Sequence, residues 1–282
     1  MQAGIFAKTF IRATWQETLA AVKGHGLECV QFNFSCAGLP TLPEKIDPAL
    51  AAAIRTQLNQ LSLSMAAISG TCNLIDPDAA KRGQELARLQ KLIRASKELG
   101  AGVVTLCTGT RDPQDMWRAH PDNHSTGAWN DLLAALEQLL PVAEESGIAL
   151  GIEPEPANVI DSAKKARALL DQLASPRLKI VFDAANLVHV GDLARQCEIL
   201  AKAVDLLGSD IVIAHAKDLA RGMTGHVAAG RGKLDYHCYL GLLRCAGFDG
   251  PVILHSLSED EVPAAVAFLQ KHLTTSGAIF SR

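Results

Sequence analysis

Four short apolar runs in the second half of the chain each carry, at their polar end, a side chain that can hold a metal or move a proton. ALGIEPEP carries Glu153, LKIVFDAAN carries Asp183, IVIAHAKD carries His215 and GPVILHSLS carries His255. Each run is short, rich in Ile, Val and Leu, and polar only at its C-terminal end, which is the pattern of a buried strand. The four residues follow one another at intervals of 30, 32 and 40, about one strand–helix repeat each. Parallel strands need such a crossover between them, and strands covered on both faces read as continuous apolar runs. In a closed parallel barrel the strand C-termini converge on one face, where active sites form. Two carboxylates and two imidazoles meeting there are a donor set for a divalent ion.

The same rhythm runs through all 282 residues. Strands are predicted at 4–10, 29–34, 61–69, 103–110, 149–154, 178–184, 210–216 and 251–256. Helices are predicted after them at 14–26, with Thr14 as N-cap, and at 47–61, 77–99, 128–146, 162–173, 191–207, 236–246 and 259–273. Eight strand–helix pairs without a linker rich in Gly, Ser or Pro predict a single α/β domain over 1–282, a (β/α)8 TIM barrel. An open doubly wound sheet is the alternative, but it wants a Gly-rich phosphate loop after its first strand, and GIFAKTFIRATW has none. GRG at 230–232 follows no predicted strand directly.

Composition narrows the partners. A hydrophobic content of 48% supports a large buried core, and a net charge of −3 argues against nucleic acid or an anionic membrane, either of which favours a basic face. Seven cysteines without a CxxC motif or regular framework read as reduced thiols in a cytoplasmic protein. MQAGIFAKTF lacks the features of a signal peptide, and no apolar run approaches a membrane span. The expected partner is a small molecule; a homo-oligomer is compatible with the sequence.

Each chemistry-bearing residue also has a plain structural reading. Glu153 sits before Pro154 and Pro156, which stop the strand and stiffen the exit loop. Glu155 competes with it for that role, and Glu153, at the strand end itself, is preferred. Asp183 could cap the next turn, with Asn186 three residues on to orient it or to meet a substrate hydroxyl. Alternation puts His215 and Lys217 on one face, and His255 ends the last strand at the analogous place. A solvated loop carboxylate and satisfied core histidines are the bland readings; four matching positions on consecutive strands outweigh them. The long polar segment 111–127, carrying Trp117, His120 and His124, is expected to form a lid or substrate wall. Arg111, Lys217, Arg221 and Arg231 are available for a carboxylate or phosphate. His25, His237 and His272 are assigned to helix surfaces, and His189 to a loop exterior.

In order and spacing, LGIEPEPAN, VFDAANL, IAHAKD and GRGKLDY resemble the xylose isomerase-like barrel superfamily, over essentially the whole chain. That group holds sugar-phosphate isomerases and epimerases, hydroxypyruvate isomerases, inosose dehydratases and apurinic endonucleases. The resemblance implies that Glu153, Asp183 and His215 are metal ligands, that Glu153 is also an acid/base, and that Arg221 contacts substrate. Asn186 stands where many members have a second histidine. His255 stands where ketose epimerases have a second catalytic glutamate, which leaves it as fourth ligand or as the other acid/base. A trinuclear zinc site of the endonuclease kind is not implied: AAISGT and CTGT end the third and fourth strands without a histidine, and His226 alone matches. The implied function is a sugar or sugar-phosphate isomerase or epimerase, working by enediolate proton transfer with one divalent ion (Mn, Zn, Co, Mg or Fe). A dehydratase of a polyol ketone and a non-catalytic sugar-binding barrel are the alternatives.

Overall fold

Runs such as LKIVF and IVIAHA favour extended backbone and bury branched side chains on both strand faces. A computed structural model, which describes residues 1–220 and 226–275, shows where they pair. The strands are β1 (Gln2–Phe6), β2 (Cys29–Phe32), β3 (Ser64–Ser69), β4 (Val103–Cys107), β5 (Ala149–Glu153), β6 (Leu178–Asp183), β7 (Ile211–Leu219), β8 (His226–Ala228) and β9 (Pro251–Leu254). All but β8 are parallel; they run from β6 through β5, β4, β3, β2 and β1 to β9 and β7, and β7 pairs back onto β6, closing the barrel.

The helices are α1 (Trp15–Gly24), α2 (Pro48–Gln60), α3 (Ala79–Ser96), α4 (Thr126–Ser146), α5 (Ala163–Leu173), α6 (Ala184–Leu187), α7 (Gln196–Leu207), α8 (Tyr236–Cys245) and α9 (Val262–Thr275). Their starts are chemically marked. Thr14 forms a reciprocal capping box with Glu17, and Asp47, Asp78, Ser125, Ser162 and Asp235 each accept a first-turn amide. Each long helix turns leucines or isoleucines onto the barrel, among them Leu19, Ile54, Leu89, Leu136, Leu200, Leu240 and Leu269, all fully buried. A smaller cluster, Cys29, Ala67, Val181, Ile213 and Ile253, fills the barrel interior beneath the site. The interior is tight enough that Gly4 cannot carry a side chain: a Cβ there would stand 2.4 Å from Cys29 Sγ and 2.6 Å from Ile253 Cδ1.

Four features depart from the sequence reading. β7 runs past the predicted 210–216 to Leu219, and its extension pairs antiparallel with β8, a strand too short to show a period. The helix predicted at 191–207 begins as 3-10 backbone over Val190–Arg195, and short α6 follows Asp183 directly. The third strand starts at Ser64 rather than 61, because Leu61 closes α2 and Ser62 turns with φ 51°. The cysteines are not all free thiols: Cys197 on α7 and Cys238 on α8 form a disulfide with Cα atoms 6.0 Å apart. Their separation of 41 residues gave no hint of it; helix packing brings them together. Among the described residues no helix is long and apolar enough to cross a membrane.

Gly4→Ala is expected to lower unfolding stability by about 1–3 kcal/mol through overpacking. Denaturant unfolding measures this, and an unchanged midpoint would contradict the described interior packing.

Candidate metal centre

The barrel register brings the four strand ends to one face. Asp183 lies opposite His215, His215 opposite Ile253, and Cys107 opposite Glu153. β7 carries one extra residue, Val212, beside the Ile180–Val181 step, and that bulge sets His215 against Asp183. One ligand atom from each of Glu153, Asp183, His215 and His255 lies within 4.8 Å of the others.

Asp183 caps α6 with Oδ1, which accepts the Ala185 amide at 2.9 Å, and so turns Oδ2 into the cluster. That one oxygen lies 3.0 Å from Lys217 Nζ, 3.1 Å from His255 Nε2 and 3.8 Å from His215 Nδ1. Glu153 Oε1 accepts Asn186 Nδ2 at 2.8 Å and lies 3.2 Å from His215 Nδ1. Asn186 therefore orients Glu153, not Asp183. His215 Nδ1 is a buried atom with no hydrogen-bond partner, because its approach to Glu153 is misaligned. Two buried carboxylates around an orphaned imidazole nitrogen, with a second imidazole beside them, fit a divalent ion and leave room for substrate oxygens.

Electrostatics match this geometry. Burial resists ionisation of Asp183, yet the Lys217 ammonium and the His255 hydrogen bond hold its carboxyl far below the ordinary range. Burial likewise opposes the charged forms of Glu153, His215 and Lys217, but His215 lowers Glu153, Glu153 raises His215 and Asp183 raises Lys217. Burial and the neighbouring His215 push His255 down to about 4. An ionised Asp183 only accepts, so the His255 Nε2–H donates to it while Nδ1 accepts the Ser256 hydroxyl at 3.2 Å.

A cavity of about 460 Å³ opens above the cluster. Of the residues singled out in the sequence, Glu153, Asn186, His215, Lys217 and His255 line it, and half-exposed Trp117 forms part of its rim. Others lie elsewhere. His120 caps the 3-10 turn Pro121–His124, accepting the Asp122 amide. Arg111 binds Asp131 and the Ile75 carbonyl, and His124 lies beside Lys165 and Asp161. Arg231 is exposed on the GRGKLDY segment, which wraps buried Asp218 through the amides of Gly230, Gly232 and Leu234. A Cβ at Gly232 would stand 2.3 Å from Asp218 Oδ1, which accounts for the second glycine of that motif. Arg221 lies outside the described residues.

Two groups were not assigned to the site from sequence. Glu155 faces the cavity, on the same side as Glu153 two residues before it, and the turn after β5 holds it there: its amide donates to the Ile160 carbonyl and its carbonyl accepts the Asn158 amide, both at 2.9 Å. The Cys107 thiol donates to its carboxyl at 3.3 Å, and burial with the Glu153 charge pushes Glu155 up to about 8. Gln31 reaches the cavity floor from β2, where its polar side chain within CVQF was the available signal.

The sequence model of the xylose isomerase-like TIM barrel family matches residues 19–272, and the chain belongs to that family. No curated protein matches the sequence. Among solved structures, the chain is similar to the E. coli 3-keto-D-glucoside 4-epimerase YcjR in its apo form, with 19% identity and a TM-score of 0.75, covering 97% of this chain and 99% of that one. A D-tagatose 3-epimerase-like protein superposes with 16% identity and a TM-score of 0.78, covering 98% of each chain. The IolI protein with a bound zinc atom superposes with 15% identity and a TM-score of 0.70, also covering 98% of each.

Two outcomes follow from this geometry. Asp183→Asn leaves Lys217 buried and unpaired, so the metal-free protein is expected to lose about 3–5 kcal/mol. Adding Lys217→Met should recover much of it, and urea unfolding of both variants decides; a neutral single change would refute the pairing. Glu155 has its folded pKa raised from 4.5 to about 8, so the stability it contributes is complete below 4.5 and lost as pH rises through 8. A tenfold change in proton affinity between folded and unfolded chain is worth about 1.4 kcal/mol. Metal-free Glu155→Gln should therefore gain on the wild type between pH 5 and 9, and parallel melting curves would contradict the burial of that carboxyl.

Proposed function

We propose that the protein is a metal-dependent isomerase or epimerase of a small polyhydroxy carbonyl compound. The observation that carries this reading is the convergence of Glu153, Asp183, His215 and His255 on one point at the floor of a sugar-sized cavity. Support also comes from the family and from the sugar epimerases among its structural relatives. A divalent ion held by that set supplies Lewis-acid polarisation of neighbouring carbonyl and hydroxyl oxygens of the substrate.

The chain's own residues then handle the proton. Glu153, held ionised by His215 and oriented by Asn186, removes the proton from the carbon next to the carbonyl, giving an enediolate. Glu155 lines the same cavity and is largely protonated at neutral pH. Two carboxyls whose surroundings drive their ionisation apart divide into base and acid. Glu155 thereby supplies the second carboxyl that ketose epimerases carry at the place of His255. His255 is a ligand if its proton moves to Nδ1; otherwise it is a proton carrier. Trp117 offers a flat apolar face to a sugar ring. Among the described residues no arginine lines the cavity and Lys217 is engaged by Asp183, which favours an unphosphorylated substrate.

The test is solvent exchange. The manganese-loaded chain is incubated in heavy water with ketohexoses, ketopentoses, 3-keto-glucosides and their phosphates, and deuterium is read by mass spectrometry and NMR. Deuterium should enter at the carbon next to the carbonyl of an unphosphorylated member, and Glu153→Gln should slow that entry by about 10²–10⁴-fold. Loss of water from the substrate would instead identify a dehydratase. Saturable binding without exchange would identify a binding protein, and full exchange by Glu153→Gln would remove Glu153 from the mechanism.

A further inference from the structure

His215 and His255 sit with ring centroids 4.5 Å apart, yet their outer partners differ. His255 turns Nε2 to Asp183 and is bounded on the other side by the Ser256 hydroxyl. His215 turns Nδ1 to the carboxylates, and its Nε2 lies 3.1 Å from Gln31 Oε1. Gln31 is itself buried, and both faces of its amide are engaged. Its Nε2 donates to Ser69 Oγ and to Thr105 Oγ1, each at 3.3 Å. The chain of contacts runs along β4, β3 and β2 and then crosses the barrel interior to β7, with every side chain almost wholly out of water.

The direction of the Gln31 amide decides which His215 nitrogen carries a proton. With Oε1 toward the ring, the ring must donate from Nε2, and Nδ1 keeps a bare lone pair. With the amide reversed, Gln31 would donate to Nε2 and force the proton onto Nδ1. An Nδ1–H would then occupy the place a cation would take, 3.2 Å from Glu153 Oε1 yet not aligned to hydrogen-bond it. A lone pair at Nδ1 is instead the third corner of a donor set whose other corners are carboxylates.

We propose that Gln31 is a positioning residue that holds His215 as the Nε2-protonated tautomer, presenting Nδ1 to a cation, with its amide nitrogen seated on the Ser69 and Thr105 hydroxyls. The proposal deepens the metal-dependent reading and rests on it. A neutral amide accepts the ring proton without adding a third negative charge beside Glu153 and Asp183. Outer partners of this kind tune metal affinity by about 10–100-fold.

The test reads the ring and the metal separately. Protein labelled with 15N in histidine is examined by long-range proton–nitrogen NMR, zinc-loaded and also metal-free above the pH at which the His215 ring gives up its second proton. Zinc dissociation constants come from chelator competition. The wild type should show His215 protonated at Nε2 in both forms. Gln31→Leu should weaken zinc about 10–100-fold, whereas Gln31→Glu, which still accepts the ring proton, should bind within a few-fold of the wild type. Should Gln31→Leu not fold, Ser69→Ala combined with Thr105→Val frees the amide and should give the same direction of change. Protonation at Nδ1, or equal zinc affinity in wild type and Gln31→Leu, would overturn the proposal. If the wild type binds no divalent ion, the metal reading fails by itself, and the metal-free ring spectrum still decides which tautomer Gln31 holds.

Discussion

One carboxylate oxygen organises the mouth of this barrel. Asp183 Oδ2 is almost wholly removed from water and faces an ammonium and two imidazoles within 3.8 Å. A carboxylate so placed survives only because its charge is compensated on several sides. The compensation is positional. Oδ1 is committed to the first turn of α6, the bulge at Val212 brings His215 level, and the extension of β7 carries Lys217 to the same oxygen. Lys217 is a resident positive charge in a site built to accept another one. Entry of an ion would therefore loosen an existing pair and compete with the proton that the carboxylates favour on His215.

The rest of the site is arranged around that charge. Glu153 is held by Asn186 and sits beside His215, whereas Glu155, two residues on, is kept from ionising by burial and by Glu153 itself. Residues two apart share a strand face, so Glu155 follows Glu153 toward the cavity, and the short turn between Pro154 and Ile160 holds it there. The two glutamates of IEPEP thus belong to one cavity with opposite ionisation. Under the proposed function these are the two carboxyls for proton transfer, although position 255 holds an imidazole.

Much of this architecture is legible in the amino-acid sequence. Continuous apolar strands at regular spacing specify a parallel sheet covered on both faces, and the lack of a Gly-rich loop after the first strand favours the closed barrel over the open doubly wound sheet. Strand ends converge, so Glu153, Asp183, His215 and His255 can be grouped from their positions alone. What period and spacing do not carry is direction beyond the strand. The turn that holds Glu155 at the cavity, the capping role of His120, the ion pair that takes Arg111 away from the mouth and the helix packing that joins Cys197 to Cys238 are all decided by tertiary contacts. Gln31 was hidden for a different reason: its meaning depends on His215, 184 residues away, which only barrel closure brings near. Asn186 lines the cavity, where α6 turns it toward Glu153 rather than Asp183.

The central claim is that the strand-end cluster is a single divalent-metal site. Anomalous diffraction from crystals equilibrated with manganese or zinc tests it most directly. The account predicts one strong peak per chain, about 2.0–2.3 Å from donor atoms of Glu153, Asp183 and His215, with His255 either as a fourth ligand or just beyond. A cluster that stays free of metal at saturating concentration, with the Lys217–Asp183 pair intact, or a peak bound only elsewhere on the molecule, would contradict it.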